Sequence, residues 1–287
     1  LAYGIDTLGR RFYTIHFKNL STGNVLEQTI PNTTGRAAWA NDNKTVFYTS
    51  KNKTTLLSEK IYRHKIGSEP TKDVLVYKED DIEYYTGVYR SKSGKYIIIW
   101  NGSTLVSDYH ILSADNPNGN FANFTPRGTE HEYSIVHYGN KFYIVTNWEA
   151  ENNRLMETPE DATNMSNWTE VIAHRDEVHL LDFDVFDNHL VLNERGNGLR
   201  GLRIINQTSG KDQYINFGEN AYTAWISTNR EFNTNILRYG YSSLVTPSST
   251  YDYNMDTGEK TLMKQNEVVG GYDSDRNYSE RLYAKAR

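Results

Sequence analysis

Arg11-Phe12-Tyr13-Thr14-Ile15-His16-Phe17 alternates in period two, meets the polar turn Asn19-Leu20-Ser21-Thr22-Gly23-Asn24, and resumes as a second run from Val25 to Ile30. A strand sends successive side chains to opposite faces, whereas a helix repeats about every 3.6 residues, so this stretch reads as a hairpin. The same pattern recurs downstream. Val46-Phe47-Tyr48-Thr49 follows the turn Asn41-Asp42-Asn43, and Lys95 to Trp100 follows Ser93-Gly94. Phe142 to Thr146 follows Gly139-Asn140, and His189 to Asn193 follows Asp187-Asn188. No segment has helical periodicity long enough to name a helix. Short strands at this spacing indicate a sandwich, a barrel or a propeller.

A longer period decides among them. One unit runs from Arg36-Ala37-Ala38-Trp39 to Val74-Leu75-Val76-Tyr77, and the next from Tyr84-Tyr85-Thr86-Gly87-Val88 to Phe124. A third runs from Glu132-Tyr133-Ser134-Ile135 to Val171-Ile172, and a fourth from Leu181-Asp182-Phe183-Asp184-Val185 to Tyr214-Ile215. The fifth runs from Tyr222-Thr223-Ala224-Trp225-Ile226 to Thr261-Leu262-Met263. The repeat is about 45 to 50 residues and holds roughly four strands, the dimensions of a propeller blade. Third strands end in glycine-bearing polar hairpins, as in Tyr62-Arg63-His64-Lys65-Ile66-Gly67 and Tyr253 to Glu259. A lone blade leaves both faces bare, and stacking against neighbours buries them. The expected fold is all-β, a β-propeller of about five full four-stranded blades plus a partial blade from residues 1–30, spanning 1–270.

Composition agrees. Tyrosine, with 22 copies against six prolines, favours strands. A net charge of −5 gives no attraction to nucleic acid or to an anionic membrane. The absence of cysteine removes disulfides, thiolate nucleophiles and cysteine-ligated zinc. It suits a bacterial cytoplasm, with the periplasm as the alternative, because Leu1-Ala2-Tyr3-Gly4-Ile5-Asp6 reads as mid-strand and any leader would precede it. Asn-X-Ser/Thr triplets at Asn43, Asn101 and Asn167 follow from a sequence rich in asparagine and threonine. The closest histidine pairs, His131 with His137 and His174 with His179, lack a third ligand at metal spacing, so no metal or cofactor is expected. Trp39, Trp100, Trp148, Trp168 and Trp225 read as core or inter-blade packing.

Several of these stretches resemble the oligopeptidase B (protease II) branch of the prolyl oligopeptidase family. They are Phe12 to Gly23, Trp39-Ala40-Asn41-Asp42-Asn43-Lys44-Thr45, Ile61 to Gly67, Asp73 to Glu79, and Glu130-His131-Glu132-Tyr133-Ser134. Leu237-Arg238-Tyr239-Gly240-Tyr241-Ser242-Ser243-Leu244-Val245-Thr246-Pro247 is the most specific, followed by Tyr251-Asp252-Tyr253, Asp256 to Glu259 and Tyr278 to Leu282. The resemblance implies a seven-bladed propeller that covers a serine-peptidase α/β-hydrolase domain, filters substrates, and serves cleavage of short peptides after arginine or lysine. It places a first blade before Leu1, and residues 271–287 as the start of a return strand into the hydrolase, with Glu280-Arg281-Leu282-Tyr283-Ala284 leading it. The Gly-x-Ser-x-Gly elbow appears nowhere in the sequence, and Gly240-Tyr241-Ser242-Ser243-Leu244 lacks its second glycine. The chain alone is therefore expected to be no enzyme.

The resemblance aligns Arg10 and Arg11 with a basic pair facing the interdomain cavity, where they would close an ion pair or gate substrate; the alternative is a solvated hairpin. Glu83, His131, Glu132, Glu194 and Arg195 lie near blade openings or adjoining turns, within reach of a cationic peptide, unless they are solvated or satisfy loop backbone. Expected partners are the hydrolase domain and short basic peptides. An open blade edge could also pair copies of the truncated propeller. Two competing functions remain. A stand-alone interaction propeller would be closed and complete. A propeller glycosidase would need carboxylates such as Asp182, Asp184 and Glu194 converging on one cleft.

Overall fold

The alternation around Tyr13 builds the first ladders. Strands β1 (Ala2–Ile5), β2 (Tyr13–Lys18), β3 (Val25–Trp39), β4 (Thr45–Lys51), β5 (Ser58–Lys65) and β6 (Val74–Lys78) form a six-stranded sheet in chain order. The computed structural model describes residues 1–128, 131–273 and 276–285. The sequence suggested separate strands either side of residue 31; one strand, β3, spans both. Its first half pairs with β2 up to Thr33, and Ala37 to Trp39 pair with β4. The register breaks between Thr33 and Ala37, where Gly35 takes φ +83° and a Cβ would meet the Tyr13 ring at 2.7 Å. The partial blade is thus β1, β2 and half of β3, and the strand passes directly into the first full blade.

Four four-stranded sheets follow, each with its strands in chain order. They are β7 (Tyr85–Arg90), β8 (Tyr96–Gly102), β9 (Ser107–Ser113) and β10 (Ala122–Asn123); then β11 (Tyr133–Tyr138), β12 (Lys141–Thr146), β13 (Arg154–Pro159) and β14 (Thr169–Ile172). Next come β15 (Val178–Val185), β16 (His189–Gly196), β17 (Leu199–Asn206) and β18 (Asp212–Tyr214), and last β19 (Tyr222–Ile226), β20 (Ile236–Ser243), β21 (Ser249–Asn254) and β22 (Lys260–Gln265). The first expected unit corresponds to the second half of β3 with β4, β5 and β6, and the other four correspond to these four sheets. The helical content among the described residues is two single 3₁₀ turns, Pro70–Lys72 and Met165–Asn167.

The chain divides into two compact units, Leu1–Ile144 with Glu157–Thr169, and Val145–Met156 with Glu170–Arg287. In the first, β4 shows why the sequence selects this packing. Val46 and Tyr48 join Ile15, Phe17 and Ile30 of the partial blade, while Phe47, on the opposite face, joins Ile61, Val88, Ile97, Ile99 and Leu112. Both faces of one strand are covered, which is what radial stacking demands of a blade. In the second unit Phe186, Val191, Leu202 and Ile204 of the fourth sheet pack on Ala224, Leu237, Tyr239 and Tyr241 of the fifth. Each fully buried side chain of this size contributes about 1.5–3 kcal/mol.

One turn recurs by sequence. Asn19, Asn206 and Asn254 each accept two backbone N–H bonds on Oδ1, and a glycine four residues on (Gly23, Gly210, Gly258) donates to the same asparagine's carbonyl at φ of +75°, +69° and +78°. The turn at Asn52 is built the same way, but Leu56 stands in the glycine position at φ +64°. A side chain there costs about 1–2 kcal/mol.

One sequence expectation needs adjusting, and two others are left untested. Trp100 is no core residue: it is 37% exposed and lies over Gly102 and Gly87, which leave a shelf for the ring. Glu280 to Ala284 form no ladder among the described residues, since an extended segment becomes a strand only beside a partner edge. Glu130, within one matched stretch, lies outside the described residues.

Candidate interdomain site at the crossover end of the sheets

Each sheet has one end at which its second strand turns into the third and its fourth crosses to the next sheet. Every candidate site residue sits at this end of its own sheet. Arg10 and Arg11 lie in the β1–β2 turn. Asp6 organises that turn, accepting backbone N–H bonds from Leu8 at 3.1 Å, Arg10 at 3.3 Å and Arg11 at 2.7 Å. Desolvation raises the Asp6 carboxyl, but these bonds together outweigh it, so it titrates below the usual range. Lys51, at the end of β4, donates to the Arg11 carbonyl at 3.2 Å. Both guanidinium groups are exposed and make no ion pair among the described residues. Glu83 is exposed in the crossover before β7, and its N–H donates to Asp81 Oδ1 at 3.0 Å.

His131 is only 8% exposed, stacked on Tyr133 with centroids 5.8 Å apart and edge-on to Trp168. Burial lowers its pKa, which keeps the ring neutral near pH 7. Glu132, next in sequence, is exposed. The alternation at the start of β11 therefore separates this pair, one inward and one outward.

The strongest feature here escaped sequence reasoning. Arg127, in the crossover between the second and third sheets, pairs with both Asp108 and Glu79 and lies 4.1 Å over the Tyr84 ring. Asp108 also accepts from Asn101 Nδ2 at 2.8 Å, and Glu79 accepts from the Tyr77 hydroxyl at 2.9 Å. Desolvation pushes both carboxyls up; hydrogen bonds from His110, Asn101 and Arg127 at Asp108, and from Arg127, the Asp81 amide and Tyr77 at Glu79, outweigh it and hold both below the usual range. The cluster joins the first two sheets at their crossover ends. Nothing in Pro126-Arg127-Gly128 marks it, because its partners lie 19 and 48 residues away.

In the second unit the pair Glu194-Arg195 splits across the pleat of β16. Glu194 is 1% exposed and bound by Arg175, by Arg203 at 3.6 Å and by the Tyr214 hydroxyl. It is an anchor inside the blade, with no free oxygen for a cationic peptide. Arg195 is exposed, 3.3 Å from His179 Nδ1. Arg195 and Glu177 frame the entry into β15 from solvent. Asp182 pairs with Asn193 in the ladder, and desolvation, opposed by a hydrogen bond from Asn193, raises its carboxyl. Asn193 and Glu194 point to opposite faces, so Glu194 does not face Asp182. The three carboxylates of a glycosidase site do not converge.

The path after β22 belongs to this end too. Tyr272 donates its hydroxyl hydrogen to the Val245 carbonyl in the β20–β21 turn, and Arg281 Nη2 donates to the Asn197 carbonyl in the β16–β17 turn at 2.6 Å. Ser279 donates to Glu219 at 3.4 Å in the crossover between the fourth and fifth sheets. No helix among the described residues is long and apolar enough to cross a membrane.

Residues 1–266 match the family described as prolyl oligopeptidase, N-terminal beta-propeller domain. The whole chain is 40% identical to "Dipeptidyl aminopeptidase BI" of Pseudoxanthomonas mexicana and 29% identical to "Protease 2" of Moraxella lacunata, covering 39% and 41% of those proteins. Among solved structures, 96% of the chain superposes on oligopeptidase B from Leishmania major with a TM-score of 0.87 at 26% identity, covering 40% of that chain. Oligopeptidase B from Trypanosoma brucei gives 0.85 at 28% identity over the same 96%, covering 39% of its chain. The chain thus spans about two-fifths of the length of the relatives it matches.

Proposed function

Because the chain belongs to the prolyl oligopeptidase N-terminal β-propeller family, we propose that it is the substrate-filtering cover of a serine endopeptidase that cleaves short peptides after arginine or lysine. The observation that carries the reading is the end-to-end match, at 24–40% identity, to peptidases more than twice as long. In those proteins the matched part shares its chain with a further segment, to which we assign the triad and its Gly-x-Ser-x-Gly elbow. The propeller's part is physical exclusion. Blades buried on both faces move little, so what reaches the chemistry must pass a rigid wall. The net charge of −5 favours approach of cationic peptides over anionic ones.

A polypeptide carrying this propeller and its downstream segment is expected to hydrolyse short arginyl and lysyl peptides, to slow as the peptides lengthen, and to leave a folded protein rich in exposed lysine intact. Equal rates on the folded protein would contradict the filter, and indifference to the residue before the cleaved bond would contradict the specificity. The 40% identity to a dipeptidyl aminopeptidase supports a second reading, release of dipeptides from a free N-terminus. Acetylating the substrate's terminal amine separates the two: an endopeptidase tolerates it and an aminopeptidase does not. Pairing of copies through an open blade edge also belongs to the proposal and would appear as a concentration-dependent dimer.

A further inference from the structure

At the end of the sheets away from the crossovers, three side chains of the first unit meet in one line. Ser93 lies in the β7–β8 turn, His137 near the end of β11, and Glu160 just past β13. Ser93 Oγ stands 2.9 Å from His137 Nδ1, and His137 Nε2 stands 2.8 Å from Glu160 Oε2. His137 is 1% exposed and set edge-on against the Tyr96 and Phe142 rings, which fixes its orientation, while Ser93 is partly exposed. The direction of each bond follows from the groups. Hydrogen bonds from Lys95, His137 and Tyr96 outweigh desolvation and hold the Glu160 carboxyl below its usual range. An ionised carboxylate only accepts, so His137 carries its hydrogen on Nε2 and leaves Nδ1 as a lone pair. Ser93 therefore donates to Nδ1, and Ser91, 2.9 Å from Ser93 Oγ, donates to Ser93. Burial lowers the His137 pKa in spite of Glu160, so the imidazole is neutral near pH 7 and free to take a proton. A hydroxyl on a neutral imidazole that a carboxylate orients is the arrangement that activates a nucleophile.

We propose that Ser93 is a site of covalent acylation, taking an acyl group from small esters whose leaving group departs as a stable anion, with His137 as general base and Glu160 positioning that base. The inference does not depend on the peptidase reading. Ser93 Oγ attacks the ester carbonyl carbon and its hydrogen passes to His137 Nδ1. The bond to the leaving oxygen breaks, and that oxygen departs with the electron pair. The Glu160 carboxylate holds the imidazolium until its proton passes to solvent, leaving acyl-Ser93 and the free leaving group. Amides lie outside this chemistry. The backbone N–H groups of Gly94, Lys95 and Tyr96 are committed inside the turn, to the Ser91 carbonyl, Ser93 Oγ and Ser91 Oγ. They are not available to hold the oxyanion that an amide must form before its amine can leave.

Incubating the 287-residue chain with p-nitrophenyl acetate and mapping the acetylated serines by mass spectrometry tests this with an internal control. Ser103, in the β8–β9 turn, is partly exposed like Ser93 and donates to the Val106 carbonyl at 3.3 Å rather than to a base. Ser93 is expected to acetylate about a hundredfold faster than Ser103, the lower end of what a positioned general base supplies. His137→Gln should bring Ser93 down to the rate of Ser103. Glu160→Gln, whose amide allows the imidazole its other tautomer, should slow Ser93 and leave Ser103 unchanged. Acid should erase the advantage: His137, faced by Glu160, Lys95 and Tyr96, protonates, and the ratio of the two rates should fall below about pH 6. Equal rates at Ser93 and Ser103 in the unaltered chain overturn the proposal, and that comparison needs no variant to fold. A fast Ser93 that survives His137→Gln overturns it as well.

Discussion

Arg127 holds two carboxylates that burial would otherwise drive toward protonation. Removing it leaves Asp108 and Glu79 buried, at 3% and 8% exposure, without their cation. Breaking a fully buried pair costs about 3–5 kcal/mol; with Arg127 a third exposed, Arg127→Ala should cost about 2–4 kcal/mol, read as a lower urea midpoint at unchanged slope. An unchanged midpoint would mean that the cluster is ornamental. The same two carboxylates set an acid limit. Both titrate lower folded than unfolded. Their contribution is therefore complete above the unfolded values of about 4 and fades as the pH falls through the lower folded values. Unfolding monitored by tyrosine fluorescence should set in below about pH 4, and Arg127→Ala should shift that onset upward. An onset identical in the variant would place the acid-sensitive groups elsewhere. His131 illustrates the limit of sequence at this scale. Its place at a blade opening was legible, but its burial under Gly128 and against Trp168 depends on rings brought in from 37 residues away, so a reach toward substrate could not be told from packing.

Elements were the most legible level, because the period-two signal is local. The alternation of Val46, Phe47 and Tyr48 correctly implied a strand, and the structure adds that both of its faces are covered. Phe47 is fully buried where the first two sheets meet. Phe47→Ala should cost about 3–5 kcal/mol, measured by denaturant unfolding, whereas truncation on a half-exposed strand face would cost about 1 kcal/mol or less. A value near the latter would deny that the sheets pack as blades. The continuous β3 was not legible, since nothing in Pro31-Asn32-Thr33-Thr34-Gly35 distinguishes a strand changing partners from a loop between strands. The hairpins at Asn19 to Asn24 and Tyr253 to Glu259 were legible as polar turns with glycine; the asparagine cap that they share with Asn206 is seen only in the structure. That Leu56 stands where these turns carry glycine is seen only when its φ is set beside theirs.

At the scale of the molecule, the roughly 48-residue recurrence was readable because each blade must bury the same two faces, and the constraint repeats along the chain. Function was less readable for the opposite reason. A propeller that filters substrates needs no convergent catalytic side chains, so its signature is what surrounds the chemistry. Resemblance to a family, rather than any motif, supplied the peptidase reading, and the match over residues 1–266 places the chain in that family. In the first unit the crossover ends of the sheets carry Arg10, Arg11, Glu83, His131, Glu132 and the Arg127 cluster; in the second, taken separately, they carry Glu194, Arg195 and the contacts made by Tyr272 and Arg281. The proposed division of labour leaves substrate filtering to this chain and bond cleavage to the segment that accompanies it in the relatives.

Its central claim is tested most directly by assaying hydrolysis of a short arginyl peptide amide by the 287-residue chain alone, beside the longer polypeptide, each with and without a serine-directed inhibitor. The account predicts no turnover above buffer by the chain alone and inhibitor-sensitive turnover by the longer polypeptide. Inhibitor-sensitive cleavage by the purified 287-residue chain would contradict it.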